Sequence, residues 1–396
     1  MVTQGDINQP TGPRILMLGA FPPQAQGIQD YGREIARAVG SVTPCTAIGF
    51  KAMYPKGLFP GVKECMDPTK SIPEAAYLTV RHDLAWYNPF GWFWTALTTP
   101  CDLFHAQWWS LPLFPVYLVF FLVMKLRRKP IVVTVHNVLP HEEAKWFIRC
   151  THWICHRADQ VLVHSDDNLA QLQEAYKLPA AKCAKIPFSI YLPDTPRMDR
   201  NKALDQLGLF HEPIYALCFG TIRPYKGLHI ILAAMAKLHT TPRPFHLIVA
   251  GKPWEDWDTY AQQMSESGLI HRVRTFLDYI PEEEIHHFFN AADCILLPYT
   301  HFDSQSGVGA LSLPYRKPLY VSRVGGLPDW VNQDEDWIVP PNDVDALAEK
   351  LNTFLQDPEG HTQRFSTVAN TVLSQYTQEA IAQAHQKIYD TVLSSP

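Results

Sequence analysis

Short apolar runs of strand length alternate with helical patterns from one end of this chain to the other, and no other feature narrows its fold as far. In the first half the candidate strands are 14–21, 43–50, 101–107, 131–136, 160–165 and 183–187. In the second half they are 214–220, 245–251, 272–279, 294–299, 318–324 and 337–339. Helical periodicity lies between them, for instance over 27–39, 228–238, 282–290 and 344–355, and a last helical stretch, 378–393, has no strand after it. The pattern predicts an α/β protein built of Rossmann-like, doubly wound parallel sheets. At 396 residues one core is not enough, so two domains are expected, 1–190 and 191–375, followed by a terminal helical segment, 376–396. The polar, proline-bearing stretch 187–200 reads as the linker. Two such domains facing across a cleft place the ligand at the C-terminal ends of their strands.

The composition, 46% hydrophobic and 18% charged, is that of a packed globular chain. A formal net charge of -5 argues against a nucleic-acid partner. Eight scattered cysteines, none in C-x-x-C spacing, read as reduced thiols of a cytoplasmic protein, and the polar first residues do not read as a signal peptide. Residues 108–124 are nearly all apolar and are followed by Lys125, Arg127, Arg128 and Lys129. The run is short for a membrane span and is interrupted by Pro112 and Pro115. It reads either as a core helix of a βαβ unit or, over 108–129, as a helix in peripheral contact with an anionic membrane.

Three loops carry candidate chemistry. Phe219 to Gly227 (Phe-Gly-Thr-Ile-Arg-Pro-Tyr-Lys-Gly) joins an apolar strand to a helix. Arg223 and Lys226 stand where free N–H groups and the helix dipole favour an anion, a fork and a point charge suited to a diphosphate. The loop Asp303-Ser304-Gln305-Ser306-Gly307 can present N–H groups and short side chains to sugar hydroxyls or phosphate oxygens, while Ser304 or Ser306 also suits a plain N-cap. In the third, His136 and Asn137 sit at a strand end, where an imidazole or amide can bind a sugar hydroxyl or a developing charge. His141 and Glu142 follow, as an acid/base pair or as structural caps. Gly27 lies in the first strand-to-helix loop, where it can admit a ligand or simply make the turn; G-x-G-x-x-G is absent, so hydride transfer is unsupported.

The ordered series resembles the GT-B glycosyltransferases, specifically the retaining glycosyltransferase family 4. It runs through Gly27, Thr134-Val135-His136-Asn137, Pro140-His141-Glu142, Val163-His164-Ser165, Arg223-Pro224-Tyr225-Lys226-Gly227, 291–299, Lys317-Pro318 and Gly325 to Asp329. That resemblance covers nearly the whole chain. It implies that Lys226 and Arg223 bind the donor diphosphate and that His136 contacts the transferred sugar. Gly27 would approach the phosphates or acceptor, Tyr279 and Ile280 would pack near the base, and 303–307 would hold sugar and β-phosphate. Asn137, His141 and Glu142 would lie on the acceptor side. No metal or other cofactor is implied, since the nucleotide sugar is a substrate, and the last helix would cross back onto the first domain. Two departures stand out. Thr221 occupies the place of an arginine common in the family, with Arg223 as its substitute. Of two glutamates separated by seven residues in many members, the pair reads Asp303 and Leu311 in one register, Ser304 and Ser312 in the other. The Gln-Ser-Gly form resembles a variant branch of the family.

The expectation is a hexosyltransferase using a UDP- or GDP-sugar and a lipid-linked or surface-glycan acceptor, in the cytoplasm or at the inner membrane face. The alternatives are a catalytically silent GT-B subunit that binds a glycan or a partner transferase, and a nucleotide-sugar epimerase.

Overall fold

The computed structural model describes residues 12–22, 27–54, 72, 75–139, 145–188, 197–238, 243–302 and 305–394. The chain divides into two compact units, residues 1–191 with 375–396, and residues 192–374.

The first unit contains β1 (Ile15–Leu18), α1 (Gly27–Val42), β2 (Cys45–Ala52), β3 (Leu78–Ala85), α2 (Pro89–Thr98) and β4 (Leu103–Trp108). It continues with α3 (Phe114–Leu126), β5 (Ile131–Val135), α4 (Lys145–Arg157), β6 (Gln160–Val163), α5 (Asp166–Tyr176) and β7 (Cys183–Lys185). Its seven strands run in the order β3-β2-β1-β4-β5-β6-β7, all parallel. Successive residues of a strand point to opposite faces, and β1 shows the consequence. Leu16 and Leu18 pack with α2 to α5, whereas Ile15 and Met17 pack with α1 on the other side.

The second unit contains α6 (Arg200–Gln206), β8 (Ile214–Phe219), α7 (Leu228–Ala236), β9 (Phe245–Ala250), α8 (Asp258–Glu266), β10 (Val273–Phe276) and α9 (Ile285–Ala291). It is completed by β11 (Cys294–Leu297), α10 (Gly307–Ser312), β12 (Leu319–Ser322), β13 (Ile338–Val339), α11 (Val344–Gln356) and α12 (Pro358–Gln375). The six strands are ordered β10-β9-β8-β11-β12-β13 and are again all parallel. The last helix, α13 (Gln378–Ser394), returns to the first unit. Its Ile381 and Ala382 pack on Ala38 of α1, and Gln378 Nε2 donates to the buried Glu34 at 2.7 Å.

Four sequence expectations need correction. Strand β3 was not among the candidates: Leu78-Thr-Val-Arg-His-Asp-Leu-Ala is an edge strand with alternating exposure and three titratable residues, not an apolar run. Most candidate strands extend a few residues too far into the loops at their ends; His136, for one, is the first residue past β5 rather than its last. The apolar run 108–124 is not one helix. Trp108 ends β4, a 3-10 turn covers Leu111–Leu113, and α3 follows with Val116, Tyr117, Phe120, Phe121, Val123 and Met124 buried against the sheet. Among the described residues, no helix is long and apolar enough to cross a membrane. Arg200, taken as linker, opens α6 behind an Asp199 cap; residues 189–196 lie outside the described chain.

Candidate functional site

In the second unit the strand order reverses between β8 and β11, the place where a doubly wound sheet opens a crevice beyond its strand ends. The loop after β8 supplies the cations. Pro224 to Lys226 form a 3-10 turn, and Gly227 then takes φ +74° to start α7. A Cβ on Gly227 would stand 2.1 Å from the Pro298 carbonyl oxygen, so only glycine lets the loop lie against β11's exit. Lys226 is thereby buried, 8% exposed, and its ammonium has no carboxylate partner among the described residues. Burial pushes its pKa down, and Arg223 lowers it further. A buried cation left without a counter-charge is costly unless an anion completes it. Arg223 is held with its guanidinium 4.2 Å over the ring of Trp254, an arrangement the sequence reading missed because the two lie 31 positions apart.

The loop after β11 closes on the same spot. Tyr299, also missed, is buried beneath Lys226, whose Nζ lies 5.9 Å from the ring centre. Tyr299 Oη lies 3.3 Å from Ser306 Oγ, which accepts the Gly309 N–H at 3.3 Å and so caps α10. Gln305 is buried, and its Nε2 donates to Asp329 Oδ2 at 3.2 Å. Lys226, Tyr299 and Ser306 therefore form one contiguous group, with Gln305 and Gly307 flanking Ser306 in the chain. Asp303 and Ser304 lie outside the described residues. Ser312 is buried, with its hydroxyl donating to the Gly309 carbonyl at 2.6 Å, so in that register a self-satisfied serine stands where a carboxylate was sought. Tyr279, 78% exposed, and Ile280 follow the edge strand β10, two strands from β8 at the same end of the sheet.

In the first unit, the His136 N–H donates to the Trp108 carbonyl at 2.9 Å, and Asn137 Nδ2 reaches the Trp109 carbonyl at 3.4 Å. The His136 ring meets Tyr31 edge-on at 4.5 Å and lies 5.4 Å from His164. Although the residue as a whole is half-buried, its Nε2 is shielded and has no hydrogen-bond partner among the described residues. Burial holds the His136 pKa well below the usual range, and His164 beside it falls to about 3 for the same reason. Both rings are thus neutral at pH 7 and can offer an imidazole hydrogen bond but not a positive charge. Tyr31 and His164 escaped the sequence reading as site neighbours; Val163-His164-Ser165 was the available signal. Gly27 is the first residue of the 16-residue helix α1, so its backbone stands at the positive end of that dipole. His141 and Glu142 lie outside the described residues.

Two doubly wound parallel sheets, one with a cation-bearing turn at its switch point, are the architecture of the GT-B class. The model for glycosyl transferases group 1 matches residues 199–371 and that for Glycosyltransferase Family 4 matches 59–190. The chain belongs to the GT-B glycosyltransferases of family 4. It is 27% identical over 282 residues to the D-inositol 3-phosphate glycosyltransferase of Corynebacterium efficiens, 65% of this chain and 64% of that one. It is 26% identical over 269 residues to the O-antigen chain mannosyltransferase B of Escherichia coli, covering 63% and 68%. The match thus spans just under two thirds of the first relative's length. The fold is shared with Anabaena HepE, solved in complex with UDP, at a TM-score of 0.70 and 20% identity over 96% of this chain and all of that one.

Proposed function

We propose that the chain is a retaining, metal-independent glycosyltransferase that moves a hexosyl group from a UDP- or GDP-sugar to a lipid-linked or growing surface glycan. The observation that carries this reading is the buried ammonium of Lys226 at the β8–β11 switch point, without a carboxylate partner among the described residues, with Arg223 three residues away. Two fixed cations and a helix start are what a departing diphosphate requires, and they stand in for a divalent metal. An acceptor hydroxyl oxygen attacks the anomeric carbon as its bond to the β-phosphate oxygen breaks. The hydroxyl proton passes to that phosphate oxygen, giving a glycoside and a nucleoside diphosphate without a protein nucleophile. Neutral His136 supplies a hydrogen bond to the sugar. The O-antigen and inositol-phosphate relatives, and the UDP bound by HepE, support a nucleotide-sugar donor and a glycan or polyol acceptor.

Calorimetry with UDP and GDP in EDTA tests the reading. One nucleotide should bind, and Lys226→Ala should weaken it by at least about a hundredfold, the scale of a lost buried charge contact. Binding of neither nucleotide, or equal binding by the variant, would overturn it. The serine or leucine at the second carboxylate position favours the silent-subunit reading instead. Nucleotide release with a panel of donors and a lipid-linked acceptor separates the two, because a subunit that only binds releases none.

A further inference from the structure

The outward sides of α2 and α3 are apolar, where surface helices on a sheet normally present charge. On α2, Trp92, Thr95 and Ala96 are buried. Phe90, Phe93, Trp94 and Leu97 fall at i, i+3, i+4 and i+7 on the opposite side, with Phe90 87% and Trp94 65% exposed. The helix is well anchored at its start, where Asn88 accepts the Gly91 N–H at 3.1 Å and Pro89 takes the first turn. Just before it, Trp86 and Tyr87 are exposed as well. Helix α3 lies against α2 and extends the surface with Leu122 and Leu126; α4, beside α3, adds Trp146.

Charge lies along this apolar surface. Arg127 Nη1 donates to the Ala96 carbonyl at 2.6 Å, tying the basic turn after α3 to α2. Arg128 follows it, and Arg149 lies 5.2 Å over the Trp146 ring. Lys125 and Lys129 are engaged by Asp159 and Asp102, but among the described residues no carboxylate pairs with Arg127, Arg128 or Arg149. Exposed Trp, Tyr and Phe beside unpaired arginines match the two layers of a bilayer surface, acyl boundary and anionic headgroup. We propose that this face of the first unit, led by α2, docks in the surface of an anionic lipid bilayer. This moves the anchor from residues 108–129, whose apolar side chains are mostly core, to the outer faces of α2, α3 and α4.

The test is flotation of the full chain with vesicles of phosphatidylcholine alone or mixed with phosphatidylglycerol. The chain should float with the mixed vesicles and be released by salt, with its tryptophan emission shifted to the blue. The double substitution Phe90→Ser with Trp94→Ser should weaken partition at least about tenfold, about 1.4 kcal/mol. Arg128→Glu or Arg149→Glu should each cost about fivefold on phosphatidylglycerol. An unchanged melting temperature in each variant shows that folding is intact. Flotation that ignores lipid charge and salt, partition unaffected by the double substitution, or no flotation would overturn the proposal. So would a dimer in sedimentation equilibrium that the double substitution dissolves, since the face would then join two copies of this chain.

Discussion

A lysine is seldom buried without a carboxylate, and the position of Lys226 is the most informative single residue in this chain. Its surroundings divide the labour. Lys226 is fixed by burial above Tyr299, whereas Arg223 owes its position to the exposed ring of Trp254. Removing that ring leaves the charge but frees its orientation. Trp254→Ala should therefore weaken nucleoside diphosphate binding only about threefold, the scale of an exposed cation–π contact, and calorimetry beside Lys226→Ala checks the ranking. Arg223 and Lys226 were legible from a motif nine residues long. Trp254, Tyr299 and Tyr31 were not legible as site residues, because aromatic rings far apart in sequence acquire a role only where strands bring their loops together.

At the scale of elements, the turn between β8 and α7 depends on Gly227. A side chain there meets the Pro298 carbonyl at 2.1 Å and must also hold φ +74°. Gly227→Ala should destabilise the second unit by more than the ~1–2 kcal/mol of left-handed backbone alone, and should displace Lys226 as well. Urea unfolding reads the first effect and UDP or GDP titration the second; wild-type values in both would refute the packing argument. The strand and helix order was legible along most of the chain because buried parallel strands are continuous apolar runs. Strand β3 was lost because an edge strand accommodates an exposed Arg81 and half-buried His82 and Asp83, which break the apolar run. Helix α3 posed the opposite problem. Its sequence is apolar all round, so only packing separates the core residues Phe120 and Phe121 from the exposed Leu122.

Over the whole molecule, protonation should act unequally on the two units. His105, His136, His164 and His385 all belong to the first, and burial lowers the pKa of each, to about 3 for His164 and about 4 for His385. The unfolded chain takes up these protons near pH 6.5 and the folded chain does not, so the unfolded state binds more protons as pH falls. Stability is fully present above about pH 7 and drops below about 6.5, by up to about 1.4 kcal/mol per pH unit for each histidine, until the folded pKa values are reached. Burial also lowers the pKa of His229, His246 and His287 of the second unit, but none of these is as deeply enclosed as the four of the first. Urea melts at pH 7.5 and 5.5 should therefore show the first unit weakening more than the second; equal losses would contradict the assignment. The network behind this joins distant parts of the chain: His105 Nδ1 lies 2.7 Å from Tyr389 Oη on α13, and its Nε2 lies 2.8 Å from Thr134 Oγ1. Local rules of apolar period, turn chemistry and cation spacing were enough to reveal two α/β halves and a cation-bearing strand-to-helix turn, because each is written in neighbouring residues. Which ring supports Arg223, which histidines are forced neutral, and which apolar helix face is left to water depend on contacts between residues up to 284 positions apart, and these exist only once the sheets have assembled.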